Sequence, residues 1–226
     1  MINFFVQKMN IAHNISRIQK ILQSFPPAKL ICVIKNRSVG EIQTALDAGI
    51  QAVGANRLQE FEKQLAAIPN LQNCEKHFIG HLQKNKAQKA AQIFDMIESV
   101  DSLELAVKLN ECCQRLGRIL PVLLQVNIAK DSGKSGFAPE NFENVCKECR
   151  QLSALRVSGL MTIPRLESDL QQTAVHFYNL KKLFKKIEQK KIFPHFKEIS
   201  MGMSGDFQVA LECGATMVRI GSAVFS

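Results

Sequence analysis

The sequence predicts a (β/α)8 barrel with one additional helix before the first strand. Eight short apolar runs alternate with longer amphipathic segments, and the runs are apolar almost throughout, as in parallel strands covered by helices. No linker or low-complexity tract divides the chain, so we expect one domain over residues 1–226. An open, doubly wound sheet is the alternative. It would need a glycine-rich turn after the first strand, where Lys35-Asn36-Arg37 stands instead.

The elements follow in chain order. A helix from about Asn10 to Leu22 comes first. The eight strands are predicted at Leu30–Lys35, Gln51–Gly54, His77–Gly80, Met96–Val100, Pro121–Ile128, Val157–Ile163, Lys197–Met201 and Met217–Ile220. Each strand but the last is followed by a helix-like segment, for example Glu41–Ala48, Leu103–Leu116 and Phe207–Cys213.

Composition and cysteine usage indicate a cytoplasmic globular protein. Hydrophobic residues make up 46% of the chain and charged residues 22%. The N-terminus lacks the pattern of a signal peptide, and the longest apolar-rich stretch, Ile119–Ala129, is too short to span a bilayer. Seven scattered cysteines form no disulfide framework, which suits a reducing compartment. Cys146 and Cys149 have no second pair at zinc spacing, and we interpret them as two thiols on one helix face.

The net charge of +9 is partly concentrated in Leu180–Lys191. Apolar residues recur there at helical spacing and lysines fill the other face. The lysines could form a nucleic-acid or anionic-surface patch. We favour a solvated helix face, since the chain has one tyrosine, no tryptophan and no recognised nucleic-acid motif. A basic bias would also attract phosphorylated small molecules.

Polar or small residues follow every predicted strand, at the end of a barrel where active sites lie. They are Lys35, Asn56, His81, Asp101, Asn127, Thr162, Ser200, Met201, Ser204, Arg219, Gly221 and Ser222. At a strand exit the Lys35 amine can lose hydration and become a nucleophile towards aldehydes. The alternative is a lysine that simply extends into solvent. His77 lies in an apolar run, and we interpret it as a core or capping histidine.

The last two strand exits have the composition of a phosphate site. Gly202, Gly205 and Gly221 allow close backbone approach to an anion. Ser204 can cap the next helix and direct its positive end at a phosphate. Either segment alone is also explained by an ordinary cap and turn. Together, opposite Lys35, they predict a phosphorylated ligand that carries a carbonyl group.

These residues give the chain a resemblance to a known family. It resembles the YggS/PROSC family of pyridoxal phosphate homeostasis proteins, which share the barrel of the alanine racemase N-terminal domain. The resemblance runs nearly end to end. It rests on the Lys35 segment and on the blocks 53–60, 77–86, 159–164, 200–206 and 217–225.

The resemblance implies a pyridoxal 5′-phosphate site. Lys35 would hold the cofactor as a reversible Schiff base, Asn56 would line the ring pocket, and Arg219 would approach the pyridine nitrogen. An arginine at that position disfavours a protonated ring and so weakens the electron sink of carbanion chemistry. The phosphate and its surroundings would be formed by Ser200, Met201, Ser204, Gly221 and Ser222.

Three departures from the family pattern affect contacts near the cofactor. The lysine stands in Cys32-Val33-Ile34-Lys35-Asn36 instead of an Ala-Val-Ser-Lys-Thr pattern. Ala55 and Arg57 replace the glutamate and tyrosine of Gly-Glu-Asn-Tyr, and Lys76 stands where a tryptophan often occurs. The lysine itself and the phosphate loops are retained.

The sequence favours a carrier over an enzyme. Racemases of this fold add a β domain whose tyrosine supplies a second acid/base, and no such domain is expected after Ser226. The only tyrosine, Tyr178, falls in a helix-like segment, where we interpret it as a packing residue. We therefore expect a largely non-catalytic monomer that buffers pyridoxal phosphate or delivers it to apoenzymes. Alternatives are a weak racemase or transaminase, a Schiff-base aldolase acting on a sugar phosphate, and a basic nucleic-acid-binding module.

Overall fold

The structure, a computed structural model, describes residues 2–164 and 169–226, with side chains described from residue 10 onwards. Eight parallel strands pair in sequence order and close into a barrel. The strands are β1 Lys29–Val33, β2 Ala52–Ala55, β3 Glu75–Phe78, β4 Met96–Val100, β5 Leu120–Gln125, β6 Leu155–Met161, β7 Glu198–Ser200 and β8 Met217–Ile220. The predicted (β/α)8 barrel is therefore confirmed, and the open sheet is excluded.

Helices surround the strands in the described part of the chain. They are α1 Ile2–Gln23, α2 Val39–Asp47, α3 Leu58–Ala67, α4 Ala87–Ile93, α5 Leu103–Leu116, α6 Phe142–Arg150, α7 Leu170–Gln189, α8 Phe207–Glu212 and α9 Ser222–Phe225. Short 3-10 segments lie at Pro69–Asn73 and Lys84–Lys86. The last strand is followed by a helix, α9, contrary to the sequence prediction. That helix has only one turn, too short to show a helical period.

Most strands lie within two residues of their predicted positions, and β4 and β8 have the predicted bounds. The largest shifts are in the first helix and in β5. The first helix begins at Ile2 instead of about Asn10. Strand β5 ends at Gln125, because Val126 instead forms a single bridge with Phe137. Apolar runs thus located the strands, whereas hydrogen bonding set their ends.

Two apolar layers hold the barrel together. A small cluster, the apolar plug, fills its interior. It is formed by Ile31, Ala52, Met96, Leu123, Met161 and Met217. A much larger layer packs the outer strand faces against the helices. Side chains alternate along a strand, so residues two positions beyond an interior residue face the interior as well. By this rule Glu98 on β4 and Arg219 on β8 point into the barrel above the apolar plug.

The first and last strands close the barrel. Strand β1 pairs with β8 over four residues, from Lys29 opposite Met217 to Cys32 opposite Ile220. Helix α1 reinforces this seam, because Nδ2 of Asn14 donates hydrogen bonds to the carbonyl oxygens of Val224 (3.2 Å) and Ser226 (2.8 Å). The turns after β1, β2 and β8 consequently lie side by side on one rim.

Helix α7, which carries the lysine-rich face, packs one side against the barrel and exposes the other. Leu180, Phe184 and Ile187 are buried against the barrel, and Lys185 pairs with Glu188 at 2.6 Å. Tyr178 on this helix is 64% exposed, so its interpretation as a packing residue is wrong.

Cys146 and Cys149 lie buried on one face of α6, as predicted, and burial raises the pKa of each thiol to about 12. No described helix combines the length and apolarity that a membrane crossing requires.

Candidate cofactor site

A cavity of about 620 Å³ opens at the rim formed by the C-terminal ends of the strands. It is lined by Val33, Lys35, Arg37, Asn56, Ile79, Gly80, Ile163, Met203, Ser204, Gly205, Arg219, Gly221 and Ser222. Six of the residues predicted to bind a cofactor are in this set, and the other two, Ser200 and Met201, are not. Met201 is buried in the layer between barrel and helices.

Lys35 stands in the turn after β1, two residues beyond the strand end. The backbone around it is fixed from α3: Glu60 accepts a hydrogen bond from the N–H of Asn36 (2.5 Å), and Gln64 donates one to the Ile34 carbonyl (3.0 Å). Lys35 itself is exposed, so the strand end does not by itself provide the predicted dehydration. Among the described residues, none forms a hydrogen bond or ion pair with its amine. The amine is available to a ligand in the cavity.

Asn56 faces the same cavity from the turn after β2. Its Oδ1 is buried and has no hydrogen-bond partner among the described residues. A buried polar atom without a partner costs about 1–3 kcal/mol, so its position favours a ligand that donates to it. Gly80 permits this arrangement, because a Cβ at that position would lie 2.2 Å from the Asn56 carbonyl oxygen.

Ser204 connects the two loops predicted to bind phosphate. Its Oγ accepts hydrogen bonds from the N–H groups of Gly221 (3.3 Å) and Ala223 (3.1 Å). The prediction that Ser204 caps the next helix in sequence is therefore wrong: it caps α9, after β8. Asp206 occupies the N-cap position of α8, and its carboxylate accepts from the N–H of Met203 at 2.5 Å.

The glycines of these loops have different roles. Gly202 has a φ of +90°, and a Cβ there would lie 2.5 Å from that of Ala210, so it is required for packing on α8. Gly205 lines the cavity, and nothing lies within 4 Å of a Cβ built on it. A Cβ at this position would therefore meet open space, so no contact in the described structure requires a glycine there.

Arg219 forms the buried wall of the cavity. It is 3% exposed, its Nη2 donates to the Thr162 carbonyl (2.7 Å), and its Nη1 donates to Oγ of Ser200 (2.5 Å). Burial lowers the pKa of its guanidinium, and the Glu98 and Asp206 carboxylates oppose that shift. Arginine keeps its charge in proteins, so the cavity has a fixed positive wall. Ser200 is fully buried behind Arg219 and does not line the cavity, contrary to its predicted contact with the phosphate.

Two charged residues beneath Arg219 were not predicted to belong to the site. Glu98 accepts a 2.5 Å hydrogen bond from the Ser200 hydroxyl and a 2.6 Å hydrogen bond from Nδ1 of His77. The Nε2 of His77 lies 3.3 Å from a carboxylate oxygen of Glu75. His77 is the core histidine that was predicted, but its partner was missed. The available signal was a carboxylate in the middle of the apolar run Met96–Val100.

His77 and Glu98 are both ionised in the folded protein. Burial disfavours the charged imidazole, but the carboxylates of Glu75 and Glu98 outweigh it and raise the pKa of His77 to about 9. Burial would likewise raise the pKa of Glu98, but the hydrogen bond from His77 and the charges of His77 and Arg219 hold it below its usual value. His77, Glu98 and Arg219 therefore carry charges of +1, −1 and +1. Glu75, whose pKa is held below its usual value by His77, adds a further −1 on the far side of His77, so the four groups are neutral as a set.

The remaining strand-exit residues have structural partners. Thr162 donates from its hydroxyl to the Val126 carbonyl (2.8 Å), and His81 pairs with Asp101 at 2.9 Å. The Asn127 amide donates to the carbonyls of Asp131 (2.7 Å) and Lys134 (3.2 Å) and so shapes the loop after β5. None of these four side chains lines the cavity.

Comparison with known proteins identifies relatives over nearly the whole chain. Residues 6–226 match the model of the family described as alanine racemase, N-terminal domain. The pyridoxal phosphate homeostasis protein of Synechocystis sp. is 37% identical over 207 residues, which cover 91% of this chain and 94% of that protein. That of Escherichia coli K12 is 34% identical over 235 residues, covering 96% of each.

Solved structures agree in fold. PipY of Synechococcus elongatus PCC7942, solved with PLP bound, is 33% identical and superposes with a TM-score of 0.87, covering 96% of this chain and 100% of PipY. An alanine racemase from Clostridium difficile 630 superposes with a TM-score of 0.75 at 19% identity. This chain covers 58% of that racemase, and at this identity the likeness concerns the fold alone.

Proposed function

The chain belongs to the alanine racemase N-terminal domain family and, within it, to the pyridoxal phosphate homeostasis proteins; from this premise we propose that it binds pyridoxal 5′-phosphate as a reversible Schiff base on Lys35. The observation that carries the proposal is that one cavity is shared by the Lys35 amine, which has no partner among the described residues, by the Ser204–Gly221 loops and by the Arg219 guanidinium. These groups match the three reactive parts of the cofactor: an aldehyde, a phosphate and a pyridine ring.

The residues of the cavity fit this group in further respects. The Oδ1 of Asn56, which has no hydrogen-bond partner in the described part of the chain, can accept a hydrogen bond from a ring hydroxyl. Gly205 lines the cavity together with Ser204, Gly221 and Ser222, the residues that would hold a phosphate. When bound, the cofactor supplies an electrophilic carbon and an electron sink. The protein supplies an amine, an anion cradle and a cation that faces the ring.

The cavity favours holding the cofactor over using it as a catalyst. Among the described residues that line it, the ionisable side chains are Lys35, Arg37 and Arg219, and none is a carboxylate, thiol, imidazole or phenol. Tyr178, the only tyrosine, is on the outer face of α7 and not in this cavity. A two-base proton transfer requires a second group besides Lys35. We therefore propose a role in cofactor homeostasis, in which a monomer in the cytoplasm buffers pyridoxal phosphate and releases it to apoenzymes.

The test is whether the purified protein carries the cofactor on Lys35. We expect a visible absorption band, release of pyridoxal phosphate by acid, and a borohydride-reduced label on the peptide that contains Lys35. The Lys35→Ala variant should lose the band and the label, whereas Lys182→Ala, at an exposed lysine on α7, should keep both. A label on another lysine in the wild-type protein would refute the assignment.

An enzyme with weak racemase or transaminase activity is the second candidate, because Lys35 could itself act as a base once the cofactor is bound. Sustained turnover of amino acids by the loaded protein, abolished in Lys35→Ala, would establish it. We expect no turnover above that of free pyridoxal phosphate.

A further inference from the structure

Four buried polar side chains form a continuous line through the barrel interior. His77 on β3 donates to Glu98 on β4 (2.6 Å), Ser200 on β7 donates to Glu98 (2.5 Å), and Arg219 on β8 donates to Ser200 (2.5 Å). The first three are 0% exposed and Arg219 is 3% exposed. Of the four, Arg219 alone lines the cavity. The line therefore runs from the interior of the barrel to the wall of the proposed cofactor site.

Stability alone does not account for this line. Burying charges costs several kcal/mol per ion, and replacing a buried ion pair by apolar residues is often neutral or stabilising. The rest of the barrel interior follows that rule, since it is filled by the apolar plug of Ile31, Met96 and Met217 among others. The charged residues His77, Glu98 and Arg219 are fully or almost fully buried beside this plug.

We propose that Glu98, anchored by His77 and acting through Ser200, is a positioning residue that fixes the Arg219 guanidinium against the ring nitrogen of the cofactor and keeps that nitrogen unprotonated. The inference rests on the proposed function and assigns roles in it to three residues that do not touch the cavity. Nη1 of Arg219 is held by Ser200 and Nη2 by the Thr162 carbonyl, so the guanidinium has one orientation.

The charges explain why the line contains both an acid and a base. Glu98 alone would neutralise Arg219, from which its carboxylate lies 3.9 Å away. His77 lies between the Glu98 and Glu75 carboxylates and weakens the effect of Glu98 on Arg219, whose side chain lines the cavity. The other charged groups around the line are Glu75 at its inner end, Asp206, which acts on Arg219 from the start of α8, and Lys35 and Arg37 in the cavity lining.

A cation beside a pyridine nitrogen disfavours its protonation. An unprotonated ring is a weaker electron sink, which suits a protein that holds the cofactor.

The sharpest variant is Ser200→Ala, which breaks the link between Glu98 and Arg219 but keeps every charge. Substituting Glu98 or His77 alone would leave an uncompensated buried charge and endanger the fold. Without the serine hydroxyl, the guanidinium is expected to move from the cavity towards Glu98.

The probe is pyridoxal 5′-phosphate labelled with ¹⁵N in the ring. In Ser200→Ala we expect about tenfold weaker retention of the cofactor than in the wild-type protein. We also expect its ring ¹⁵N signal to be displaced towards that of the free cofactor. Ser158→Ala is the matched control: this buried serine on β6 donates only to the Arg156 carbonyl, and its removal should change neither quantity.

A second measurement shows whether Ser200 acts through Arg219. In Arg219→Lys the arginine geometry is already lost, so adding Ser200→Ala should have little further effect on the ¹⁵N signal. A His77→Gln/Glu98→Gln double variant, which removes both charges together, should displace the signal in the same direction as Ser200→Ala. Wild-type retention and an unchanged ¹⁵N signal in Ser200→Ala would overturn the inference and leave the proposed function intact. Wild-type protein that holds no cofactor on Lys35 would overturn both.

Discussion

At the scale of the residue, the proton on His77 links the stability of the fold to pH. The pKa of His77 is about 9 in the folded protein and its ordinary value is 6.5. A raised folded-state pKa gives stability that is fully present below pH 6.5 and is lost as pH rises towards 9. A difference of this size is worth on the order of 3 kcal/mol.

We therefore expect the free energy of unfolding in urea to fall between pH 6.5 and pH 9. The His77→Gln/Glu98→Gln double variant removes the pair and should show a flatter profile over that range. It should also be less sensitive to acid, because the lowered pKa of Glu98 makes the wild-type protein lose stability as pH falls below the ordinary value of 4.5. A wild-type profile that is flat from pH 6.5 to 9 would contradict the assigned charge of His77.

At the scale of the element, the turn that carries Lys35 is held by α3 on one side and by the N-cap of α2, the helix that follows it, on the other. Ser38 caps α2: its Oγ accepts from the N–H of Glu41 (3.3 Å), and the Glu41 carboxylate accepts from the N–H of Ser38 (2.9 Å). Ser38→Ala should lower the free energy of unfolding by about 1 kcal/mol. It should also weaken cofactor retention, because the cap orients the preceding turn.

The control for this prediction is Ser102→Ala at the N-cap of α5. Ser102 accepts from the N–H of Leu105 at 3.3 Å, and its side chain does not line the cavity. We expect a similar loss of stability with unchanged cofactor retention. Equal effects of the two variants on retention would show that the cap contributes to general stability only.

The same scale shows which features could be predicted from sequence. The strands and the exit residues Lys35, Asn56 and Arg219 were located correctly, because apolar runs and their ends are local properties. The helix capped by Ser204 could not be predicted, since its partners at Gly221 and Ala223 come from the next βα unit.

The inward line from His77 to Arg219 was missed for a similar reason. Glu98 is conspicuous locally, as a carboxylate within an apolar run, but neither its segment nor those of His77 and Ser200 identify their partners. Their contacts join strands up to 102 residues apart in sequence, as with Ser200 and Glu98. Only closure of the barrel brings them together.

At the scale of the whole molecule, the cavity lies across the seam where the barrel closes. Lys35 follows β1, Asn56 follows β2, and Arg219 belongs to β8, and these three strands are neighbours around the seam. The seam joins the two ends of the chain, and Asn14 of α1 secures it by its hydrogen bonds to the carbonyls of Val224 and Ser226. A ligand in the cavity therefore bridges parts of the chain that are adjacent only in the closed barrel.

Loading with pyridoxal 5′-phosphate should consequently stabilise the whole fold. A ligand that binds only the folded state, at a free concentration about 100 times its Kd, adds about 2.7 kcal/mol. For a domain of this size each kcal/mol raises Tm by about 2–4 °C, so we expect an increase of about 5–11 °C. Thermal unfolding followed by circular dichroism would measure it. Pyridoxal without the phosphate should give a much smaller shift, and so should pyridoxal phosphate added to Lys35→Ala. If Lys35→Ala showed the same increase in Tm as the wild-type protein, the ligand would be stabilising the fold from a site other than the Lys35 cavity.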